Sequence, residues 1–236
     1  MTNLLHVDSS PGPGGISVSR RLSARYAAAW RECHGDAGYR YRDLAADPIP
    51  LVTSAYVTLG TRVERSGIVP RDKIGELTES AAEEREWALT GPLVEEVLAA
   101  DVLLIGTPMY NFTVPATLKA WIDRITFPGV FTDPGTGESL LAATRVVIVA
   151  ARGGGYGPHS PRAGFDFQEP YLRRYFENLG VAEFTFIHAD LTRAADIPRL
   201  HGLRDLAAAS LAAATEQVVQ TAGETNTQNG CPAGSA

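Results

Sequence analysis

Apolar positions along this chain fall into two alternating kinds of pattern. Five short apolar runs, at residues 4–7, 39–44, 101–107, 144–151 and 183–189, read as strands. The run 101–107 is apolar without alternation, as in a strand covered on both faces. Between them, apolar residues return at helical spacing, over about 17–34, 74–100, 115–126, 167–180 and 194–221. Alternating strands and helices predict an α/β fold with a parallel sheet and helices on both faces. Right-handed crossovers leave few topologies, and for five strands the order 2-1-3-4-5 is the common one. Its switch point lies between the first and third strands, which puts the loops after Val7 and Thr107 side by side. Residues 48–71 show little periodicity and read as an ordered excursion over the surface. No internal repeat is present.

The most informative stretch is 101–125, DVLLIGTPMYNFTVPATLKAWIDRI. Pro108 stops the strand, because proline has no N–H for the ladder. Pro115 suits a first helical turn, and Thr113 is placed to cap it. The loop 108–112 therefore lies at the carboxyl end of a parallel strand, where open α/β sheets bind ligands. It offers backbone N–H groups, an amide and aromatic rings, which a flat, polar-edged, anionic ligand needs. Burial of Met109, Tyr110 and Phe112 at a strand end is the plainer alternative.

Two more loops have the same position. The segment 8–22, Asp8 and then SSPGPGGISVSRRL, follows the first strand and is rich in serine and glycine. Hydroxyls and free N–H groups at a helix start bind phosphate, and Arg20 and Arg21 add positive charge nearby. A Gly-rich turn before a capped helix is an equal reading of this loop alone. It is neither a Walker loop nor the dinucleotide fingerprint, because GPGGIS breaks both spacings. ARGGGYGPHSP, 151–161, follows the fourth strand with three consecutive glycines, each with an entropic cost that close backbone approach to a planar ring would justify. A mobile loop is the alternative. Tyr156 and His159 lie within reach of such a site.

Composition narrows the function classes. The chain has 236 residues, 44% hydrophobic and 20% charged, enough for one substantial core. Residues 1–222 read as one domain and the small, polar segment 223–236 as a disordered tail. A net charge of −6 with scattered basic residues argues against nucleic acid. Of 21 basic residues only Lys73 and Lys119 are lysines. Cys33 and Cys231 are far apart, make no disulfide framework or metal site, and fit a reducing cytosol. No membrane span or targeting segment is legible, so a cytoplasmic protein without bound metal is expected.

At this point the residues resemble a known family. PMYNFTVPATLKAWID is similar to the signature of the FMN-dependent NADH azoreductases, which are flavodoxin-like quinone reductases. The segments at 9–19, DLAADPIP at 43–50, ARGG at 151–154 and YLRRYFENLG at 171–180 resemble the same family. The resemblance implies a flavodoxin-like three-layer sandwich and bound FMN, with NADH or NADPH as reductant. It implies that Ser10, Ser17, Val18 and Ser19 hold the FMN phosphate. Met109, Tyr110, Asn111 and Phe112 would bracket the ring, with Ala151, Arg152, Gly153 and Gly154 along its other side. Many members carry serine where this chain has Ala151, so a hydroxyl contact is lost there. Phe127, Phe131 and Tyr156 would shape the pocket for an aromatic small-molecule acceptor, although dimer-interface burial explains Phe127 and Phe131 equally well. A homodimer is implied, and so is ping-pong hydride transfer from NAD(P)H to quinones, azo or nitro aromatics. The flavin carries the chemistry, and no protein acid or base is singled out. The rivals are a flavodoxin-like electron carrier, usually smaller and more acidic, and a reductase dedicated to one biosynthetic intermediate.

Overall fold

A computed structural model describes residues 2–158 and 160–224. His159, Cys231 and the rest of 225–236 lie outside the described residues. Five parallel strands form one sheet: β1 (Leu4–Asp8), β2 (Tyr39–Asp43), β3 (Val102–Pro108), β4 (Arg145–Ala151) and β5 (Glu183–Ala189). Their order is β2-β1-β3-β4-β5, with helices on both sides. The helices are α1 (Val18–His34), α2 (Ser54–Arg65), α3 (Ala81–Leu98), α4 (Ala116–Ile125), α5 (Gln168–Asn178) and α6 (Arg204–Glu224).

Strand residues alternate between two cores, as the pleat requires. Leu4, Val102, Leu104, Val147 and Val149 point to one face and pack with Leu22, Tyr26 and Trp30 of α1 and Val218 of α6. Leu5, Val7, Leu103, Ile105, Val146 and Ile148 point to the other and pack with α2, α3, α4 and α5. Both faces are covered, so the central strands are apolar throughout. Each fully buried Leu, Ile or Val contributes roughly 2 kcal/mol.

Four local expectations need correction. Residues 48–71 contain α2, whose buried face is Tyr56, Leu59, Gly60 and Val63. The stripe is short and is diluted by Val57, Thr58 and Thr61, poor helix formers. The helix expected over 74–100 is a 3₁₀ turn, Arg71–Leu77, followed by α3. Ser80 starts α3 by accepting the Glu83 N–H at 3.3 Å. Thr113 does not cap α4; Pro115 is its N-cap residue and supplies no side-chain bond. The last helix begins at Arg204 and reaches Glu224, two residues into the segment expected to be disordered.

Candidate active site

The loops after β1, β3 and β4 emerge at the carboxyl edge of the sheet, on strands that are neighbours. The first is fastened before it reaches α1. Ser9 N–H donates to the Gly106 carbonyl at 3.0 Å, and Thr117 Oγ1 of α4 donates to the Ser9 carbonyl at 2.9 Å. Ser17 is the N-cap of α1, and its hydroxyl accepts the Arg20 N–H at 3.5 Å. Ser17 also donates to Ser10 Oγ at 2.9 Å and lies 3.2 Å from Ser19 Oγ. Three hydroxyls thus meet at a helix start, where the N–H groups and the helix dipole favour an anion. Gly14 and Gly15 face open space.

Arg20 does not direct its charge to that spot. Its Nε and Nη2 donate to the Ser10 carbonyl at 2.9 and 2.6 Å. Its Nη1 and Nη2 grip both Asp43 oxygens at 2.8 and 2.6 Å. The Arg20 guanidinium holds the Asp43 carboxyl below the usual carboxylate range, helped by the Ala45 and Ala46 N–H groups. Arg20 is thus a clamp that ties the serine loop to the end of β2. Beneath it, Asp8 is buried and accepts from Ser23 Oγ at 2.8 Å and Tyr41 Oη at 3.1 Å. Burial, and then Asp8, push the Tyr41 phenol up, so it stays a donor.

The β3 loop makes a tight reversal. Tyr110 and Thr113 exchange N–H···O bonds of 2.9 and 3.0 Å across Asn111 and Phe112. Those two residues have φ of 49° and 71°. Two adjacent non-glycine residues in the left-handed region store strain of about 1–3 kcal/mol each, a common signature of a functional loop. Surrounding bonds hold it in place. Met109 N–H donates to the Ala151 carbonyl at 2.8 Å, Phe167 N–H to the Phe112 carbonyl at 3.0 Å, and Gln168 Nε2 to the Pro108 carbonyl at 2.9 Å.

A cavity of 650 Å³ opens against this loop. Met109, Asn111, Phe112, Gly153, Gly154 and Tyr156 line it, so the structure brings these sequence-selected residues together. Tyr156 and Phe165 flank the Phe112 ring, with centroids 6.4 and 5.3 Å away. Tyr110, Ala151 and Arg152 are not among the lining residues, and neither are the serines of the β1 loop. Ala151 is buried in the sheet, and Tyr110 is 43% exposed. Arg152 is buried and turned inward, with Nη1 2.7 Å from Asp166 and Nε 2.5 Å from Asp190. Its side chain braces the β4 loop and leaves only its backbone for a ligand.

Phe127 and Phe131 do not line this cavity. Both are core residues, 4% and 6% exposed. The Phe127 ring packs edge-on against Tyr56 at 5.2 Å and lies 5.3 Å from Trp87. Helix α2, invisible to the periodicity, covers it. Sequence reasoning also missed Gln168 and Asp8, which reach the loops only through tertiary contact, and the wall of the cavity formed by 191–206. Periodicity alone places most of that wall in the last helix. Among the described residues, no group of three or more His, Cys, Asp and Glu stands where it could hold a metal ion. No helix there is long and apolar enough to cross a membrane.

The comparisons with known proteins agree with this fold. The family described as having a flavodoxin-like fold matches residues 2–222. An FMN-dependent NADH:quinone oxidoreductase of Nocardia farcinica is 41% identical over 205 residues, 86% of this chain and 90% of that protein. One of Nostoc sp. is 37% identical over 218 residues, 90% of this chain and 99% of that protein. A crystal structure of azoreductase from Bacillus anthracis has a TM-score of 0.77 at 22% identity, covering 95% of this chain and 100% of its own. A second Bacillus anthracis structure, an FMN-dependent NADH-azoreductase in complex with FMN, has a TM-score of 0.72 at 18% identity and covers 95% of this chain and 99% of its own. Sheet order, switch-point loops and cavity define a flavodoxin-like α/β protein. The chain belongs to the flavodoxin-like family that includes the FMN-dependent NADH:quinone oxidoreductases.

Proposed function

We propose that this chain is an FMN-dependent oxidoreductase that uses NADH to reduce quinones, with azo and nitro aromatics as further acceptors. The observation that carries the reading is the pairing of two features. A hydroxyl cluster stands at the start of α1, and a ring-sized cavity lies between the β3 and β4 loops. They occur in a chain 41% identical to a quinone oxidoreductase over most of both lengths.

The residues present fit FMN. Ser10, Ser17, Val18 and Ser19 would hold the phosphate: the three serine hydroxyls bond only one another and local N–H groups, and can turn to an anion. Met109, Tyr110, Asn111 and Phe112 would position the ring on one side, and the backbone of 151–154 on the other. FMN held there would supply two-electron hydride chemistry between NADH and an acceptor. Asn111, strained and exposed, would present its amide to the polar edge of the ring. Phe112 and Tyr156 give the acceptor an aromatic neighbour and limit water. Backbone N–H groups of the β4 loop would face negative charge as it develops. A quinone takes up the hydride and one proton to become a hydroquinone, and solvent can supply the proton. NADH and acceptor use one cavity in turn, which makes the kinetics ping-pong.

We also infer a homodimer, supported by Leu51, Val52 and Val57, which are exposed in the segment that enters and forms α2. A cytoplasmic location goes with NADH as reductant. Residues 1–222 are taken as one functional domain.

The purified protein should be yellow, release FMN on denaturation, bleach rapidly with NADH and regain colour with a quinone. Asn111→Ala should weaken flavin binding or slow bleaching about tenfold. A colourless protein that refuses added FMN defeats the reading. Sedimentation as a monomer at micromolar concentration defeats the dimer.

A further inference from the structure

The cavity does not end at the ring-facing loops. It continues to a wall built from 191–206, with an apolar floor of Leu191, Ile197, Leu200 and Leu203. Three arginines stand around that floor: Arg162, Arg193 and Arg199. Two of them adjoin the glycines of the β4 loop. A Cβ added at Gly153 would lie 3.0 Å from Arg193 Cδ, and one added at Gly154 would lie 3.6 Å from Arg162 Nη1.

Most arginines elsewhere in this acidic chain are matched with carboxylates, although among the described residues Arg21, Arg25, Arg65, Arg85 and Arg204 are not. Arg20, Arg42, Arg62 and Arg145 each have two, as does Arg152 next to the cavity, and Arg124 has one. Among the described residues, Arg162, Arg193 and Arg199 form no ion pair with any carboxylate. Three unmatched guanidinium groups converging on one cavity make a local positive field on a chain of net charge −6. A cleft lined by one sign of charge concentrates ligands of the other sign. The guanidinium fork suits phosphate and carboxylate oxygens. An apolar floor with a cationic wall suits a ligand with a flat apolar body and an anionic group beside it.

We propose that Arg162, Arg193 and Arg199 form an anion-recognising wall of the redox cavity, which selects entering molecules that carry a phosphate or carboxylate next to an aromatic system. The inference rests on the oxidoreductase reading above and names its specificity. The anionic group has two possible sources. One is the pyrophosphate of the dinucleotide reductant, the other a carboxylate on the acceptor.

The test uses the FMN-loaded enzyme and the triple variant Arg162→Gln, Arg193→Gln, Arg199→Gln. None of these side chains is in an ion pair, so the variant should keep the wild-type melting temperature. Three binding readouts are needed: FMN affinity by flavin fluorescence, NAD⁺ binding by the flavin difference spectrum, and KM for a carboxylated and an uncharged quinone of similar size. FMN affinity should stay within about twofold and KM for the uncharged quinone should not move. Either NAD⁺ binding or KM for the carboxylated quinone should weaken about tenfold at low salt, the sum of three screened contacts. The wild-type advantage should shrink as ionic strength rises. An effect on NAD⁺ assigns the wall to the reductant, and an effect on the carboxylated quinone assigns it to the acceptor. No change in either overturns the proposal, as does an equal change for the uncharged quinone. Loss of FMN affinity by tenfold also overturns it, because the arginines would then serve the cofactor. A wild-type protein without FMN would instead defeat the oxidoreductase reading itself.

Discussion

Asp8 occupies the space that a side chain on residue 106 would need. A Cβ at Gly106 would lie 2.1 Å from Asp8 Oδ1 and 2.7 Å from Ser23 Oγ. The glycine of β3 therefore lets a buried carboxylate of β1 sit across the strand pair, bonded to α1 and to Tyr41. Gly106→Ala should push Asp8 off both partners and cost about 3 kcal/mol, from overpacking together with a displaced buried carboxylate. The urea midpoint measures it. The double variant Asp8→Ala, Gly106→Ala should recover part of the loss, because the smaller residue leaves room. Additive losses would show that the contact is not the cause.

Arg20 ties Ser10 to Asp43, so it sets where the first hydroxyl of the serine cluster stands. Arg20→Lys keeps the charge but cannot span the carbonyl and both carboxylate oxygens. FMN affinity should fall about tenfold, near 1.4 kcal/mol, the scale of one charged hydrogen bond. Riboflavin, which lacks the phosphate, should bind wild type and variant alike. Equal losses for the two flavins would mean that the clamp supports the whole site and not the phosphate loop.

Arg124 is fully buried and paired with Glu86, which also accepts from Thr53 Oγ1 at 2.7 Å. Its Nη2 donates to the Pro50 and Leu51 carbonyls at 2.8 and 2.9 Å. One guanidinium thus joins α3, α4 and the path into α2. Arg124→Met strands a buried carboxylate and should cost about 3–5 kcal/mol. Chemical denaturation with and without a second change, Glu86→Gln, should show the double variant to be the more stable of the two.

His188 sits at the end of β5, 3.2 Å from Glu169. Arg152, Asp166 and Asp190 surround it. Burial pulls its pKa below the ordinary histidine value, Arg152 pulls the same way, and Glu169 opposes them. The unfolded chain therefore takes up this proton first as pH falls. Stability is intact above about pH 6.5 and declines below it, until the folded-state pKa is passed. Melting temperatures from pH 7.5 to 5 should fall more steeply for wild type than for His188→Gln. Parallel curves would assign the acid sensitivity to other groups.

The strands were legible because central strands of a doubly covered sheet must be apolar throughout, and 102–105 and 146–151 are. The β3 loop was legible because Pro-Met-Tyr-Asn-Phe falls at the end of such a strand. Helix α2 was not, since its stripe of Tyr56, Leu59, Gly60 and Val63 is short and its propensity weak. Missing it left Phe127 looking free for an acceptor, when α2 and Trp87 enclose the ring.

The sequence by itself determined the layers, the sheet order and which three loops meet at the switch point. Periodicity and punctuation are local, and each segment carries its own. Only the tertiary structure decided how those loops are fixed and how they are charged. Arg20 reads in sequence as a cation beside a ligand and Arg152 as part of the loop along it, yet each directs its charge to carboxylates from other elements. Arg162, Arg193 and Arg199 carry no mark in sequence to distinguish them. Folding brings them to one cavity, where none forms an ion pair with a carboxylate among the described residues. Pairing is a property of distance in space, and a chain read residue by residue does not contain it.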